Sequence, residues 1–309
     1  MTTVPYALYD AFSDHAFGGS QAGIVSDAAL LDAHTRQRIA REIGAPATGF
    51  ITASSEDSIS ARFHSTKMEY PMCGHGTIAL MTRMLEQGIV NWNGADRIEV
   101  ELKLQTTTAT VEIHLRDDNR PLVMLDINPP GFREDGLGVE QLADLLSLRS
   151  EDFSQKYPLE TAVGDFTHLV VPVRGLAAMR RIIPHFEGLT QFCQAHAIHT
   201  VAVFCTEVER SGNTLHVRDF CPVVGVSESA AAGTTNAALT SYLVRNGIVQ
   251  KNGDGQIVIQ SEQGHEIDRP SSLRSVVSMN GNTIIRLQVG GVATRVMDGQ
   301  LYLPSKSQN

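Results

Sequence analysis

The chain has 309 residues and a formal net charge of −9 at pH 7, and it contains no run of Lys or Arg. This charge argues against nucleic acid or an anionic membrane surface as a partner. Hydrophobic residues make up 42% and charged residues 19%, typical of a globular protein with full cores. No stretch reaches the roughly 20 apolar residues of a membrane span, and no signal peptide is recognisable. The few cysteines are irregularly spaced. We therefore expect a cytoplasmic protein with unpaired thiols.

Short alternating or apolar runs predict that strands outnumber helices along the chain. The predicted strands are 7–12, 22–25, 50–52, 59–63, 98–102, 110–115, 169–173, 201–205, 215–220, 257–259 and 283–289. The predicted helices are 32–43, a helix from 76 that stops at 88, 139–148, 176–183, 188–196 and a helix that starts at 234. The run Pro129-Pro130-Gly131 predicts a linker near the middle of the chain.

One short passage occurs twice, at matching places in the two halves of the chain. The first copy is CGHGTIAL at residues 73–80, and the second is AGTTNAAL at residues 232–239. The offset of 159 residues persists to the helix stops at Gly88 and Gly247, which indicates a duplicated fold. Each copy places small and hydroxyl residues before an apolar helix, a pattern that favours an anion-binding helix N-terminus. We therefore expect two such termini to face each other and to form one site between two half-chains.

Two titratable side chains lie in the first copy of the motif. Cys73 precedes the helix, where the positive end of the helix dipole favours the thiolate, so we expect a lowered pKa for its thiol. His75 follows in the same turn, and the ordinary pKa of a histidine suits proton transfer near neutral pH. A small buried cysteine and a capping or core histidine are the structural alternatives for these two residues.

The other motif residues are candidates for holding an anion, because glycines allow the backbone to approach a ligand closely and hydroxyl groups can bind it. These candidates are Gly74, Gly76, Thr77, Ser229, Gly233 and Thr234. Ser229 and Thr234 also fit a role as helix caps. His64 and Glu69 lie upstream of the first motif, and strand alternation gives each an even chance of pointing into the site. The sequence holds no zinc, dinucleotide or nucleoside triphosphate motif, so we expect no metal at the site.

Four passages resemble the PhzF-like family, named for phenazine biosynthesis, within the diaminopimelate epimerase and proline racemase fold. They are DAF at 10–12 with FGG at 17–19, IAREI at 39–43, PMCGH at 71–75, and RDFCP at 218–222 leading to GVSESAAAGT at 225–234. The resemblance implies an α/β (α+β) protein of two pseudo-symmetric domains, each a curved, mostly antiparallel sheet around a central helix, with the active site between them.

The resemblance also sets expectations for domain bounds, partners and cofactors. Residues 1–128 with 296–309 are expected to form the N-terminal domain, which a final strand near residues 299–303 completes, and residues 129–295 the C-terminal domain. Proteins of this kind are commonly homodimers. They move protons on small carboxylated molecules and need no metal, pyridoxal phosphate or nicotinamide.

The chain departs from the family pattern at the acid/base positions. Ala47 stands where the resemblance places a glutamate that acts as acid/base, and Ser229 where it places the second carboxylate of a Glu-Asp pair. Proline racemase relatives carry a cysteine in each glycine motif, but here Ala232 takes the second position. Because the far face of the substrate then lacks a proton donor, one-base isomerisation or β-elimination of an amino, imino or hydroxy acid fits better than racemisation. Cys73 is the expected acid/base, with His75 assisting. A metabolite-binding protein without catalysis is the alternative.

Overall fold

The computed structural model describes residues 2–252 and 255–303, which divide into two compact units. Unit 1 contains residues 2–125 and 290–303, and unit 2 contains the described residues from 126 to 289. The domain boundaries expected from the resemblance follow residues 128 and 295, a few residues after the boundaries between the two units. These expected domains stay a prediction. Residues 304–309, which that prediction assigned to the N-terminal domain, lie outside the described residues.

The described residues form eighteen strands and six α-helices. The strands are β1 (Thr2–Ala11), β2 (Ser20–Val25), β3 (Ala47–Ser54), β4 (Ser58–His64), β5 (Glu69–Tyr70), β6 (Arg97–Lys103), β7 (Thr108–Leu115), β8 (Pro121–Asp126), β9 (Gly131–Arg133), β10 (Glu160–Val163), β11 (Thr167–Pro172), β12 (Thr200–Cys205), β13 (Leu215–Cys221), β14 (Val226–Ser229), β15 (Ile257–Gln263), β16 (Ser271–Asn280), β17 (Thr283–Gly291) and β18 (Ala293–Leu303). The helices are α1 (Ala33–Ile43), α2 (Gly74–Glu86), α3 (Glu140–Leu146), α4 (Leu176–Arg181), α5 (Phe186–Ala195) and α6 (Gly233–Arg245). Among these described helices, none is long and apolar enough to cross a membrane.

Unit 1 packs a mixed sheet around α2. Strand β1 is antiparallel to both β2 and β18, β2 runs parallel to β3, and β4 is antiparallel to β3 and parallel to β6. Residues 76–84 of α2 are all buried, and the helix contacts β1, β2, β3 and β18. A helix that is buried on every side needs apolar or small residues all round, which the sequence of α2 supplies except at Arg83, whose guanidinium pairs with Asp298 at 3.0 Å.

Unit 2 repeats the strand pairings of unit 1 in the same order and sense. Strand β11 runs parallel to β12, β12 is antiparallel to β13, β13 is antiparallel to β14 and parallel to β15, and β15 is antiparallel to β16. Helix α6 is the counterpart of α2 and contacts β10, β11, β12 and β16. The predicted fold class, two pseudo-symmetric halves that each wrap a sheet around a central helix, is therefore confirmed.

The predicted elements differ from the observed ones mainly in short or half-polar strands. The sequence analysis missed β5, β8, β9, β10, β14 and β16. It also placed the starts of α2 and α6 at 76 and 234, whereas the helices begin at Gly74 and Gly233. Helix α1 begins where its sequence predicts, because the N-cap Asp32 accepts a hydrogen bond from the backbone N–H of Thr35 at 2.7 Å.

Candidate active site

The first turn of α2 carries five of the predicted site residues. Cys73 is the N-cap, with an extended backbone at φ −144° and ψ 111°. Gly74, His75 and Gly76 form the first turn, so their N–H groups lack partners within the helix. Thr77 is fully buried and donates its hydroxyl hydrogen to the carbonyl of Cys73 at 2.9 Å. Thr77 thus supports the turn from inside the unit.

Gly76 is a glycine because the ring of Phe63 lies against it. A Cβ atom at residue 76 would lie 2.8 Å from Cε1 of Phe63, which is closer than real Cβ contacts allow. A Cβ at Gly74 would meet only Leu125, at an ordinary 3.8 Å. The sequence analysis assigned both glycines to ligand approach, and the structure gives Gly76 a second, internal reason. The Phe63 ring forms the apolar wall beneath the start of α2.

Cys73 and His75 lie in contact at the start of this helix. The Cys73 Sγ atom is 3.5 Å from Nδ1 and 3.8 Å from Nε2 of His75. Cys73 is 7% exposed, and His75 is half-buried. The pair therefore combines a thiol and an imidazole within reach of each other and beside unpaired backbone N–H groups. An imidazole and a thiol in contact at the start of a helix can exchange a proton.

Burial sets the protonation states of the pair. It raises the pKa of the Cys73 thiol to about 12, and a hydrogen bond with the Gly76 backbone offsets only part of this rise. The prediction of a lowered thiol pKa is therefore wrong, because lost hydration outweighs the helix terminus. Burial also lowers the pKa of His75 to about 4. At neutral pH the thiol holds a proton that it can give, and the imidazole is neutral and can accept one.

The remaining three predicted site residues come together at the start of α6. Ala232 is the N-cap, with φ −136° and ψ 118°, nearly the same angles as Cys73. Gly233 and Thr234 open the helix, and Ser229 ends the preceding strand β14. In the part of unit 2 that the structure describes, the N–H groups of this first turn donate to no carbonyl or side chain. The second motif is thus also an open helix N-terminus.

Buried side chains hold the loop that leads into α6. The side chain of Gln263 donates to the Ser229 carbonyl at 2.8 Å, and the hydroxyl of Ser271 donates to the Ala230 carbonyl at 2.7 Å. Asn236 donates through Nδ2 to the Ala232 carbonyl at 3.0 Å. Since these carbonyls are turned towards the body of unit 2, the loop has a fixed shape before any ligand arrives. Only the structure shows these contacts, because they join residues distant in sequence.

A polar cluster beneath the start of α6 was missed by the sequence analysis. We call it the Asp219 cluster: Asp219, Thr235, His168 and Thr200. Thr235 donates its hydroxyl hydrogen to Oδ2 of Asp219 at 2.8 Å, and the Nδ1 atom of His168 lies 2.7 Å from the Thr200 hydroxyl and 3.4 Å from that of Thr235. Burial raises the pKa of Asp219 to about 6 and lowers that of His168 to about 3.

The two carboxylates near the motifs are tied to arginines. Glu69 lies 3.7 Å from Arg62 and 3.9 Å from the Nε2 atom of His64, which is 2% exposed. Burial lowers the pKa of His64, although the neighbouring Glu69 opposes this. Glu228 accepts two hydrogen bonds from Arg218, at 2.9 and 2.8 Å. These partners give both glutamates a structural role within their own strands.

The comparisons with known proteins cover nearly the whole chain. A model of the family described as phenazine biosynthesis-like protein matches residues 9–299. The chain belongs to this family. The chain is 25% identical over 304 residues to an uncharacterized isomerase of Clostridium acetobutylicum, covering 96% of this chain and 98% of the relative. It is also 26% identical over 301 residues to the trans-2,3-dihydro-3-hydroxyanthranilate isomerase of Pseudomonas chlororaphis, covering 96% and 99%.

Solved structures agree with this family at the level of the fold. The PhzF family protein of Bacillus anthracis superposes with a TM-score of 0.87 at 23% identity, covering 98% of this chain and all of that one. A hydroxyproline epimerase from Agrobacterium vitis superposes with a TM-score of 0.59 at 13% identity, covering 97% and 92%. The family and fold expected from the four passages are therefore confirmed, and the roles of the site residues stay a prediction.

Proposed function

We propose that this chain is an isomerase of a small carboxylate, an amino, imino or hydroxy acid, that works by proton transfer without a cofactor. The observation that carries the proposal is the contact between the Cys73 thiol and the His75 imidazole at an open helix N-terminus. Membership of a family whose relatives bear the name isomerase supports it. The cytoplasmic location and the homodimer expected from the sequence belong to the same proposal.

The N-termini of α2 and α6 can stabilise the enolate, the least stable species in such a reaction. Removing a proton next to a carboxylate creates an enolate with two negative charges, which water stabilises poorly at neutral pH. The N–H groups of Gly74 and His75 offer donors for that charge, and each comparable donor in known oxyanion sites is worth about 2.7–4 kcal/mol. Only the part of this interaction that strengthens as the proton leaves accelerates the reaction. We propose that Gly233 and Thr234 hold the same substrate.

The protonation states of the pair assign the two roles. The neutral His75 imidazole accepts the proton when the substrate C–H bond breaks, and the Cys73 S–H bond supplies a proton to the carbon where the new C–H bond forms. The resulting imidazolium then returns its proton to the thiolate across the 3.5 Å contact, which restores both groups. Because the pKa values of about 4 and about 12 bracket neutrality, kcat should stay nearly constant between pH 5 and 9.

Two alternatives share the same site. If the substrate carries a hydroxyl on the carbon next to the acidic one, the enolate expels this group with the proton held by the His75 imidazolium, water leaves, and the enzyme is a dehydratase. A protein that binds a metabolite without catalysis is the other alternative, and it is motivated by Ala47, Ser229 and Ala232 at the positions where the family resemblance leads us to expect acid/base groups. The contact between the Cys73 thiol and the His75 imidazole favours catalysis over binding alone.

Hydrogen exchange into deuterated buffer tests the proposal. The protein is incubated with a panel of amino, imino and hydroxy acids that includes trans-2,3-dihydro-3-hydroxyanthranilate, and proton NMR follows the loss of carbon-bound hydrogen. We expect exchange with at least one acid, a loss of roughly 10²–10⁴-fold in His75→Gln, and a comparable loss in Cys73→Ser. Cys193→Ala, which changes a thiol buried within α5, should exchange normally.

Three results would change the proposal in different ways. Binding detected by thermal shift without exchange would favour the metabolite-binding alternative. Release of water with loss of the hydroxyl signal would identify a dehydratase. Full exchange in Cys73→Ser would show that another group supplies the proton.

If both helix termini hold one substrate, Thr234→Val should raise KM for the same acid whose exchange needs Cys73. An unchanged KM would show that the second motif does not bind this substrate.

A further inference from the structure

The Asp219 cluster has no polar counterpart in unit 1. The strand pairings identify equivalent positions in the two units. Glu69 and Glu228 are related by the repeat offset of 159, and they pair with His64 and Phe220 respectively. His64 and Phe220 are therefore equivalent. Counting back one residue on β4 and β13 makes Phe63 the equivalent of Asp219. Gly76 and Thr235 are equivalent by the same repeat. A ring packed on a glycine in unit 1 is thus replaced in unit 2 by a carboxyl that is hydrogen-bonded to a threonine.

The strand pairings also identify the unit 1 equivalents of the other two members of the Asp219 cluster, Thr200 and His168. Thr48 pairs with His64 and Val201 with Phe220, so Ala47 is the equivalent of Thr200. Ala22 pairs with Ala47, and His168 pairs with Thr200, both across parallel strands. Hence four small or apolar positions of unit 1 have become four polar residues in unit 2. One of them is the equivalent of Ala47, where the family resemblance leads us to expect an acid/base group.

The carboxyl of Asp219 lies directly below the second motif. Asp219 pairs with Ser229 across β13 and β14, and residues that face each other in an antiparallel pair share one side of the sheet. Its Oδ2 atom accepts the hydroxyl hydrogen of Thr235, the third residue of α6. Within the residues that the structure describes, its Oδ1 atom has no hydrogen-bond partner although Asp219 is 0% exposed. A buried carboxyl oxygen without a partner at an open helix N-terminus points to a ligand or a proton.

Binding an anion at the start of α6 next to an ionised Asp219 carboxylate costs electrostatic free energy. Ionised Asp219 would repel a substrate carboxylate at the N-terminus of α6, because like charges in a poorly hydrated site raise the free energy of both. A protonated Asp219 removes this repulsion and offers an O–H donor. We propose that Asp219 takes up one proton when a carboxylate binds at the start of α6, and that only its protonated form permits tight binding. This inference rests on the proposed function and makes Asp219 a positioning residue.

The surroundings of Asp219 are consistent with proton uptake near neutral pH. Burial is the main cause that raises its pKa to about 6, and the charge of Glu228 contributes to the rise, whereas the side chains of Thr235, Cys221 and Thr200 oppose it. Glu228 is itself paired with Arg218. Cys221 lies two residues along β13 and stays a neutral thiol, since burial raises its pKa, and His168 stays a neutral imidazole. No neighbouring cation among these groups is placed to hold Asp219 ionised when an anion arrives.

Calorimetry of anion binding at several pH values tests the inference. The probe is anthranilate, the aromatic counterpart of the substrate named for the Pseudomonas chlororaphis relative. Titrations in buffers of different ionisation enthalpy at pH 7.5 should show uptake of about one proton per anthranilate bound. The affinity should fall about tenfold for each pH unit above the pKa of Asp219. In Asp219→Asn both effects should vanish, whereas Asp165→Asn, an exposed carboxylate of unit 2, should keep them.

A second measurement keeps the inference testable if Asp219→Asn fails to fold. Carbon NMR of the Asp219 carboxyl in the unaltered protein should show its pKa rising by more than about two units when anthranilate is added, as uptake of about one proton at pH 7.5 requires. Binding without proton uptake, or uptake that persists in Asp219→Asn, would overturn the inference and leave the proposed function standing. Failure of anthranilate and of every acid in the exchange panel to bind would instead remove the proposed function, and this inference with it.

Discussion

Helices α2 and α6 begin with nearly the same backbone angles, yet different side chains surround the two starts. Cys73 and His75 put titratable groups on the first turn of α2, above the apolar ring of Phe63. At α6 the first turn carries no titratable group, and the carboxyl of Asp219 lies beneath it. Both units therefore keep a helix that starts with the same backbone geometry, while the titratable groups lie on the first turn of α2 but beneath the first turn of α6.

The comparison teaches which features the fold demands of both units. An open N-terminus and a hydrogen bond from the fourth helical residue to the N-cap carbonyl occur twice, made by Thr77 in one unit and Asn236 in the other. An arginine that faces a glutamate near the motif also occurs twice. These features belong to the architecture. The side chains of the first turn and the wall beneath it differ, and there we expect the chemistry to differ as well.

The largest expected contrast is between the two arginines. Arg218 makes a bidentate pair with Glu228 and also donates to the carbonyls of Met179 and Ile182, with 7% and 6% of the paired side chains exposed. Arg218→Gln should lower the free energy of unfolding by about 3–5 kcal/mol, because it leaves a buried carboxylate unpaired. Arg62→Gln should cost about 1 kcal/mol or less, since that pair is longer and more exposed. Urea unfolding of both variants measures the contrast, and equal losses would contradict it.

A smaller contrast is expected between two glycines of the same turn. Gly76→Ala forces a Cβ into the ring of Phe63 and should cost about 1–3 kcal/mol. Gly74→Ala meets only ordinary contacts and should change the stability by about 1 kcal/mol or less in either direction. Thermal unfolding of the two variants provides the measurement. A Gly76→Ala variant as stable as the parent would show that the Phe63 ring moves aside at little cost.

The smallest contrast concerns the two residues that support the helix starts. Asn236→Ala removes hydrogen bonds to the Ala232 carbonyl and to Oε1 of the buried Gln263, so it should cost about 1–3 kcal/mol. Thr77→Val removes one hydrogen bond and keeps the shape of the side chain, so about 0.5–1.5 kcal/mol is expected. Denaturation in guanidinium chloride resolves a difference of this size only when both variants are measured in parallel. A larger loss in Thr77→Val would reverse the comparison.

The sequence was sufficient for the architecture because the architecture repeats. The run at 73–80 and its copy at 232–239 fixed the two central helices to within two residues of their starts. Strand β16 escaped detection for a physical reason: Ser271 and Ser275 occupy buried positions of its alternating pattern, so the apolar period of two is hidden. The short β5 and β9 offered too few residues for any period to be recognised.

The sequence was not sufficient for the protonation states of the site. Cys73 precedes a helix, which suggested a lowered pKa, but burial reverses the direction and depends on neighbours that folding brings from elsewhere. Asp219 gave no signal because its partner Thr235 lies 16 residues away along the chain, and His168, which contacts Thr235, lies 67 residues from that threonine. Pairings of this kind depend on tertiary structure, and no local motif encodes them.

The pairing of the first described strand with the last has a consequence for biosynthesis. Strand β1 is antiparallel to β18 from Thr2 to Ala11, although the whole of unit 2 separates them along the chain. A ribosome therefore completes unit 2 before it has made the strand that closes unit 1. Until then β1 has one open edge, which is available to a chaperone or to a neighbouring nascent chain. The unit that carries Cys73 and His75 can consequently complete its sheet only after residues 293–303 have been translated.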